Sequence, residues 1–265
     1  MIFTDHFVYV HEPKTGGTFV TSMLFRLYGL KWSRLTHLKN VLFREVRSRH
    51  PKYGYLVHDT RKHFGCRQIP SKHSGKKILA TIRNPYDLYV SQYEFGWWKR
   101  REFLTYYRSV PNFEKDYPTF PDITFAQYVT LSEDAFAKFG DTPVDHQCGL
   151  RTREFIDFYF REPAKVYARL KQDPGYILNE QFRADMFDLH FVQTSNLNRG
   201  LYDFLTLMGY DDRDVSFVVG QEKILPRGKG RTPDQKWQNY YTPELKRQVR
   251  EREHLLFTLF PEFDV

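Results

Sequence analysis

Cysteine is scarce: Cys66 and Cys148 are the only two in 265 residues, and neither stands in a Cys-x-x-Cys pair. That excludes a disulfide framework and the usual zinc signatures, and the expectation is a reducing compartment. No apolar run approaches the roughly 18 residues that a membrane span requires. Polar Asp5 and His6 stand where a signal peptide would carry its apolar stretch, so the expected location is cytoplasmic, with no membrane partner. Internal repeats and low-complexity tracts are also missing.

What is present describes a folded chain. Hydrophobic residues make up 41%, aromatics 17% and charged residues 27%, a composition too apolar for disorder and too charged for a membrane protein. A length of 265 residues fits a single domain, 1–265, with a substantial core. The net charge of +8 and pI near 9.3 favour a polyanionic partner: nucleic acid, an anionic surface or a phosphate-rich cofactor. Charge alone does not choose among them.

The choice starts at the amino terminus. Phe7-Val8-Tyr9-Val10 reads as a buried parallel strand, and Thr18 to Leu27 carries apolar residues near helical spacing, closing at Gly29. Between them runs His11-Glu12-Pro13-Lys14-Thr15-Gly16-Gly17. A strand that feeds a glycine turn and then a helix presents unpaired backbone N–H groups to an anion, and Lys14 adds a full positive charge. In the P-loop of nucleotide hydrolases the lysine directly follows the last glycine of Gly-x-x-x-x-Gly-Lys-Ser/Thr. Here it precedes both glycines.

A second such junction follows Lys77-Ile78-Leu79-Ala80-Thr81-Ile82, a buried strand that delivers Arg83-Asn84-Pro85-Tyr86-Asp87. Pro85 suits the first helical positions, predicting a helix from Tyr86 to about Lys99 with Ser91 two turns along it. Together, Pro13-Lys14-Thr15-Gly16-Gly17-Thr18 and Arg83-Asn84-Pro85-Tyr86-Asp87-x-x-x-Ser91-x-Tyr93 resemble the two phosphate motifs of sulfotransferases that use 3′-phosphoadenosine 5′-phosphosulfate (PAPS), of the carbohydrate type. The resemblance covers residues 7–28, 76–93 and, more loosely, 189–259.

It implies a three-layer α/β fold, a mostly parallel central sheet flanked by helices as in P-loop NTPases, with a helical, aromatic-rich insertion at 95–160. It implies that Lys14, Thr15, Gly16, Gly17, Thr18 and Phe19 hold the 5′-phosphosulfate, that Arg83 and Ser91 hold the 3′-phosphate, and that the basic loop with Arg227, Gly228 and Lys229 covers the nucleotide. The cofactor is then PAPS, the product PAP, and no metal is required. The acceptor hydroxyl, on a carbohydrate or other small molecule, would lose its proton to a general base. His58, at the end of the strand read at residues 53–58, is the choice, with Asp59 and His63 as alternatives and Lys14 aiding the leaving phosphate.

The rest of the chain is read from its residues. Residues 34–50 have a helix-compatible apolar face and are expected to form a surface helix. Trp97, Trp98, Tyr106, Tyr107, Phe113, Tyr117, Phe120, Phe125 and Tyr128 crowd the segment 95–160. They could stack on an acceptor ring, or equally pack a second layer or a homodimer contact. Leu189 to Thr194 reads as another core strand, followed by a helix to Met208, and Thr242-Pro243 caps a last helix reaching about residue 259. Two alternatives stay open. A nucleotide kinase or phosphotransferase would share the fold and the anion loop but lacks Gly-Lys-Ser/Thr. A nucleic-acid binder would explain the charge but not two phosphate motifs placed after strands, so nucleic acid is not the expected partner.

Overall fold

The computed structural model describes residues 1–30, 44–59, 63–137, 148–222, 224 and 230–265, without the side chains of 136 and 137. The chain is α/β. Its strands are β1 (Ile2–Thr4), β2 (Phe7–Val10), β3 (Glu45–His50), β4 (Gly54–Asp59), β5 (Lys77–Ile82) and β6 (Leu189–Gln193). Its main helices are α1 (Gly17–Leu27), α2 (Pro85–Phe95), α3 (Arg101–Arg108), α4 (Phe125–Ala137), α5 (Leu150–Tyr159), α6 (Pro163–Gln172), α7 (Leu197–Leu207), α8 (Pro243–Arg252) and α9 (His254–Leu259). Two compact units emerge, the first formed by 1–83 and 187–230, the second by 84–186 and 231–265. Among the described residues no helix is long and apolar enough to cross a membrane.

The first unit holds one six-stranded sheet in the order β3-β4-β1-β2-β5-β6. Strands β2, β5 and β6 run parallel, with Val10 opposite Ala80 and Ala80 opposite Phe191. On the other side of β2 the pairing turns antiparallel, through β1 to β4 and then β3. The sheet is therefore mixed, and the mostly parallel sheet expected from sequence holds only for its β2-β5-β6 half. The three residues of β1 are too short a run to signal a strand. Asp5 and His6, read as a polar lead-in, are the turn that sends the chain back into β2. The expected helix over 34–50 fails where it can be checked: residues 45–50 form β3, paired along its whole length with β4, and 31–43 lie outside the described residues. Alternation explains the error. In Glu45-Val46-Arg47-Ser48-Arg49-His50, Val46 is buried while Arg47 and Arg49 are exposed, a period of two that the longer apolar spacing obscured.

Helices α1 and α7 cover one face of this sheet. Phe19, Val20, Leu24, Leu201, Phe204 and Leu205 pack with Phe7, Tyr9, Leu56, Leu79 and Val192 in one buried cluster. All four residues of β2 are fully buried, so both faces of that strand are covered, as its unbroken apolar run requires.

In the second unit Asn84 caps α2 by accepting the Tyr86 N–H at 2.9 Å, with Pro85 at the first helical position. The helix stops at Phe95, earlier than expected, because Gly96 adopts φ 66° and closes it. Thr242 caps α8 by accepting from Leu245 N–H at 3.2 Å. The expected continuous last helix is two, broken at Glu253.

Glu253 is fully buried and caps α5 from a distance in sequence. It accepts from Arg151 N–H at 3.1 Å, Thr152 N–H at 2.6 Å and the Thr152 hydroxyl at 2.7 Å. The Tyr89 hydroxyl reaches Glu253 Oε1 at 2.7 Å and also contacts Glu133. One phenolic proton cannot fully serve two ionised carboxylates, and a proton on Glu253 relieves their repulsion. Burial, and then the Glu133 carboxylate, accordingly push the Glu253 carboxyl up to about 7 from an ordinary 4.5. A carboxyl raised in the folded state binds its proton more tightly there than in the unfolded chain, so its contribution is full at acid pH and is lost as pH rises from about 4.5 to 7. Urea unfolding followed by the second unit's tryptophans should therefore show this contribution falling by roughly 1–3 kcal/mol across that window, and Glu253→Gln should flatten the slope.

Candidate anion-binding site

At the carboxyl end of β2 the chain makes a tight turn that two backbone positions dictate. Lys14 stands at φ 66° and Gly16 at φ 97°, both left-handed. For lysine this conformation costs on the order of 1 kcal/mol, so something must hold it. Gly16 has two reasons to be glycine, its φ and the Leu197 side chain 2.6 Å from where a Cβ would sit. At Gly17 a Cβ would fall on the imidazole of His11, so the ring lies against the start of α1. Gly16, at the cap position of α1, has no side chain to offer, and the first intrahelical bonds run from Phe19 and Val20 N–H to Gly16 C=O at 3.0 and 3.3 Å. The N–H groups of Gly17 and Thr18 thus begin the helix and mark its partial positive end.

The turn is fastened from below. Thr15 Oγ1 donates to Glu12 C=O at 2.8 Å and lies 2.8 Å from Thr81 Oγ1, which in turn lies 3.2 Å from the Tyr9 hydroxyl. Since Thr15 gives its only proton to a carbonyl, Thr81 must donate to Thr15 and Tyr9 to Thr81. Burial, opposed by the Thr81 hydrogen bond, raises the Tyr9 pKa well above the ordinary tyrosine value and keeps that terminal donor protonated. Two further side chains hold the loop's carbonyls. Thr194 Oγ1 reaches Thr15 C=O at 3.0 Å and Ile82 C=O at 2.9 Å, and Arg83 Nη1 donates to Lys14 C=O at 3.1 Å. The strained Lys14 is thereby held at its own carbonyl by a guanidinium.

Of the residues expected at a site, Lys14, Thr15, Gly16, Gly17 and Thr18 form this turn and helix start, and Arg83 meets it. Phe19 contributes its side chain to the core and its N–H to Gly16. Ser91 belongs to the second unit, on α2, with its side chain buried. His58 lies inside β4, in the same row as Ile2 and Tyr9, with its ring edge-on to Phe25 of α1 at 5.2 Å. Asp59 ends the same strand. His63 is the histidine that the structure brings to the loop: its ring centroid is 5.3 Å from that of His11, and its Nδ1 is 3.4 Å from His11 C=O. Such a bond places the proton on Nδ1 and leaves Nε2 as the basic nitrogen. Arg227, Gly228 and Lys229 lie outside the described residues. Among those described, no group of three or more His, Cys, Asp or Glu side chains has the arrangement of a metal site.

Sequence reasoning named Thr15 and Arg83 as phosphate ligands but not as fasteners, and missed Tyr9, Thr81 and Thr194. A lone polar residue in an apolar strand, Thr81 in Ile-Leu-Ala-Thr-Ile, was the available signal, and so was Thr194 at the end of β6. Comparison with known proteins adds no name: no family model matches the chain, and no curated protein or solved structure matches it.

If the hydroxyl chain fixes the turn, Thr81→Val should cost about 1–3 kcal/mol, because it leaves the buried Tyr9 hydroxyl without its acceptor. Adding Tyr9→Phe should restore part of that loss. A double-mutant cycle by chemical denaturation measures the coupling, and strict additivity of the two losses would show that the chain does not act as a unit.

Proposed function

We propose that this protein is a PAPS-dependent sulfotransferase acting on the hydroxyl of a small acceptor, a carbohydrate being the first choice. The observation that carries the reading is the pre-tied turn between β2 and α1, whose lysine stands ahead of two glycines, joined at its Lys14 carbonyl by Arg83 from the second motif. The residues suit a phosphate: a helix start at Gly17 and Thr18 with a glycine at its cap position, a lysine and a guanidinium.

When bound, PAPS supplies a sulfuryl group whose bond to the 5′-phosphate oxygen breaks, with the electron pair going to phosphate, as the acceptor oxygen bonds to sulfur. Under this reading, Lys14 and the N–H groups of Gly17 and Thr18 stabilise charge on the 5′-phosphate. Arg83 and Ser91 are assigned to the 3′-phosphate by the motif resemblance, and Arg227, Gly228 and Lys229 to a covering loop. A histidine takes the acceptor's proton. His58 is the choice from sequence, while the contact of His63 with His11 favours His63, whose Nε2 is the basic nitrogen when Nδ1 donates to a carbonyl. A nucleotide phosphotransferase is the competing class.

Calorimetry separates the two. PAP should bind at least about ten-fold more tightly than AMP or ATP, a difference of about 1.4 kcal/mol, because only PAP carries the 3′-phosphate. Arg83→Ala should weaken PAP binding. Equal, magnesium-dependent binding of ATP would overturn the sulfotransferase reading. His58→Ala and His63→Ala, assayed with radiolabelled PAPS against an acceptor panel, should leave PAP binding intact, and the base is the one whose loss abolishes transfer.

A further inference from the structure

The second unit contains a pocket that none of the chemistry above uses. Residues 99–121 fold around a space of about 260 Å³, open on one side. Its floor is aromatic: Phe113 and Tyr117 are buried, and the Phe113 ring lies 5.3 Å from Phe120 and 5.8 Å from Tyr117. Its rim is basic, with Lys99, Arg101 and Arg108 against the single carboxylate of Glu114. That carboxylate is paired with Arg108 at 3.2 Å, and Lys99 lies 3.8 Å from Asp122 and 5.2 Å from the centre of the Trp98 ring. The Arg101 side chain has no ion-pair or hydrogen-bond partner among the described residues, and neither has the Tyr117 hydroxyl. Burial, with Asp134 and Asp116 adding to it, raises the Tyr117 pKa and keeps that hydroxyl a donor.

A gap left by imperfect core packing would be sealed and apolar. This one is open, with an exposed guanidinium and a hydroxyl, neither paired among the described residues, over a floor of aromatic rings. An aromatic floor takes a flat ring and a guanidinium prefers planar oxyanions, so the two features suit the two ends of one guest. We propose that this pocket binds a small organic anion, a molecule of one or two flat rings bearing a carboxylate, sulfonate or phosphate, with the ring against Phe113 and Phe120 and the anionic group toward Arg101 and Tyr117. The volume suits a single small molecule and is too small for a longer polymer segment. The proposal does not depend on the sulfotransferase reading.

The test titrates the full chain with naphthalene-2-sulfonate and with its neutral counterpart 2-naphthol, followed by calorimetry and ligand-observed NMR. The sulfonate should bind with one-to-one saturation and be about ten-fold tighter than the naphthol. Arg101→Ala should remove most of that difference, and Tyr117→Phe should weaken the sulfonate by a smaller factor, roughly three-fold. Arg247→Ala, an exposed arginine on α8, should change nothing. Equal binding of the two probes, an unaffected Arg101→Ala protein, or an Arg247→Ala protein weakened as much as Arg101→Ala would each overturn the proposal.

Discussion

Three buried hydroxyls, Tyr9, Thr81 and Thr15, form a chain that can run in only one direction, because it ends on the Glu12 carbonyl. Each supplies what the next requires, and burial keeps Tyr9 protonated at the head. The consequence is a fixed Thr15, and with it a fixed turn. Thr194 holds the Thr15 carbonyl and Arg83 that of Lys14, so successive peptide units are oriented before any ligand arrives. This offsets the left-handed backbone of Lys14 and the entropy of ordering a glycine-containing loop. An anion meeting the start of α1 would then find donors that need little rearrangement.

The two units use a helix start in opposite ways. In the second unit the start of α5 is occupied by the chain's own carboxylate, Glu253, which takes two backbone N–H groups and a hydroxyl. Burial and the neighbouring Glu133 raise the pKa of that carboxyl against the hydrogen bond from Tyr89, so the contact is structural and sensitive to pH. In the first unit the cap position of α1 is a glycine, Gly16, which has no side chain to fill the helix start, and the turn leading into it carries His11 and Lys14 together with the buried Glu12. One helix start is filled from within, while the other carries the features of a site for an outside anion.

Much of this was legible. The strands at 7–10, 77–82 and 189–193, the glycine turn, the helix start at Pro85, the Thr242-Pro243 cap and the helices they open were all readable, because each is encoded within a few neighbouring residues. Long-range pairing was not. Strand β1 is too short to announce itself, and β3 was hidden in a stretch whose apolar spacing also fits a helix, so of the antiparallel half only β4 was read, without its partners.

The same division applies to the site. The sequence by itself determined a lysine and two glycines between a core strand and a helix, and an arginine at the end of a second strand, since these are local patterns of φ, charge and apolar run. Only the tertiary structure decided that the two strands lie side by side in parallel, so that Thr81 falls beneath Thr15 and Arg83 reaches the Lys14 carbonyl. It also decided which histidine meets the loop: His58 is directed by the pleat of β4 toward Phe25, and His63 stands against His11. Register sets Thr81 beneath Thr15 across 66 residues of chain, and no local spacing carries that information.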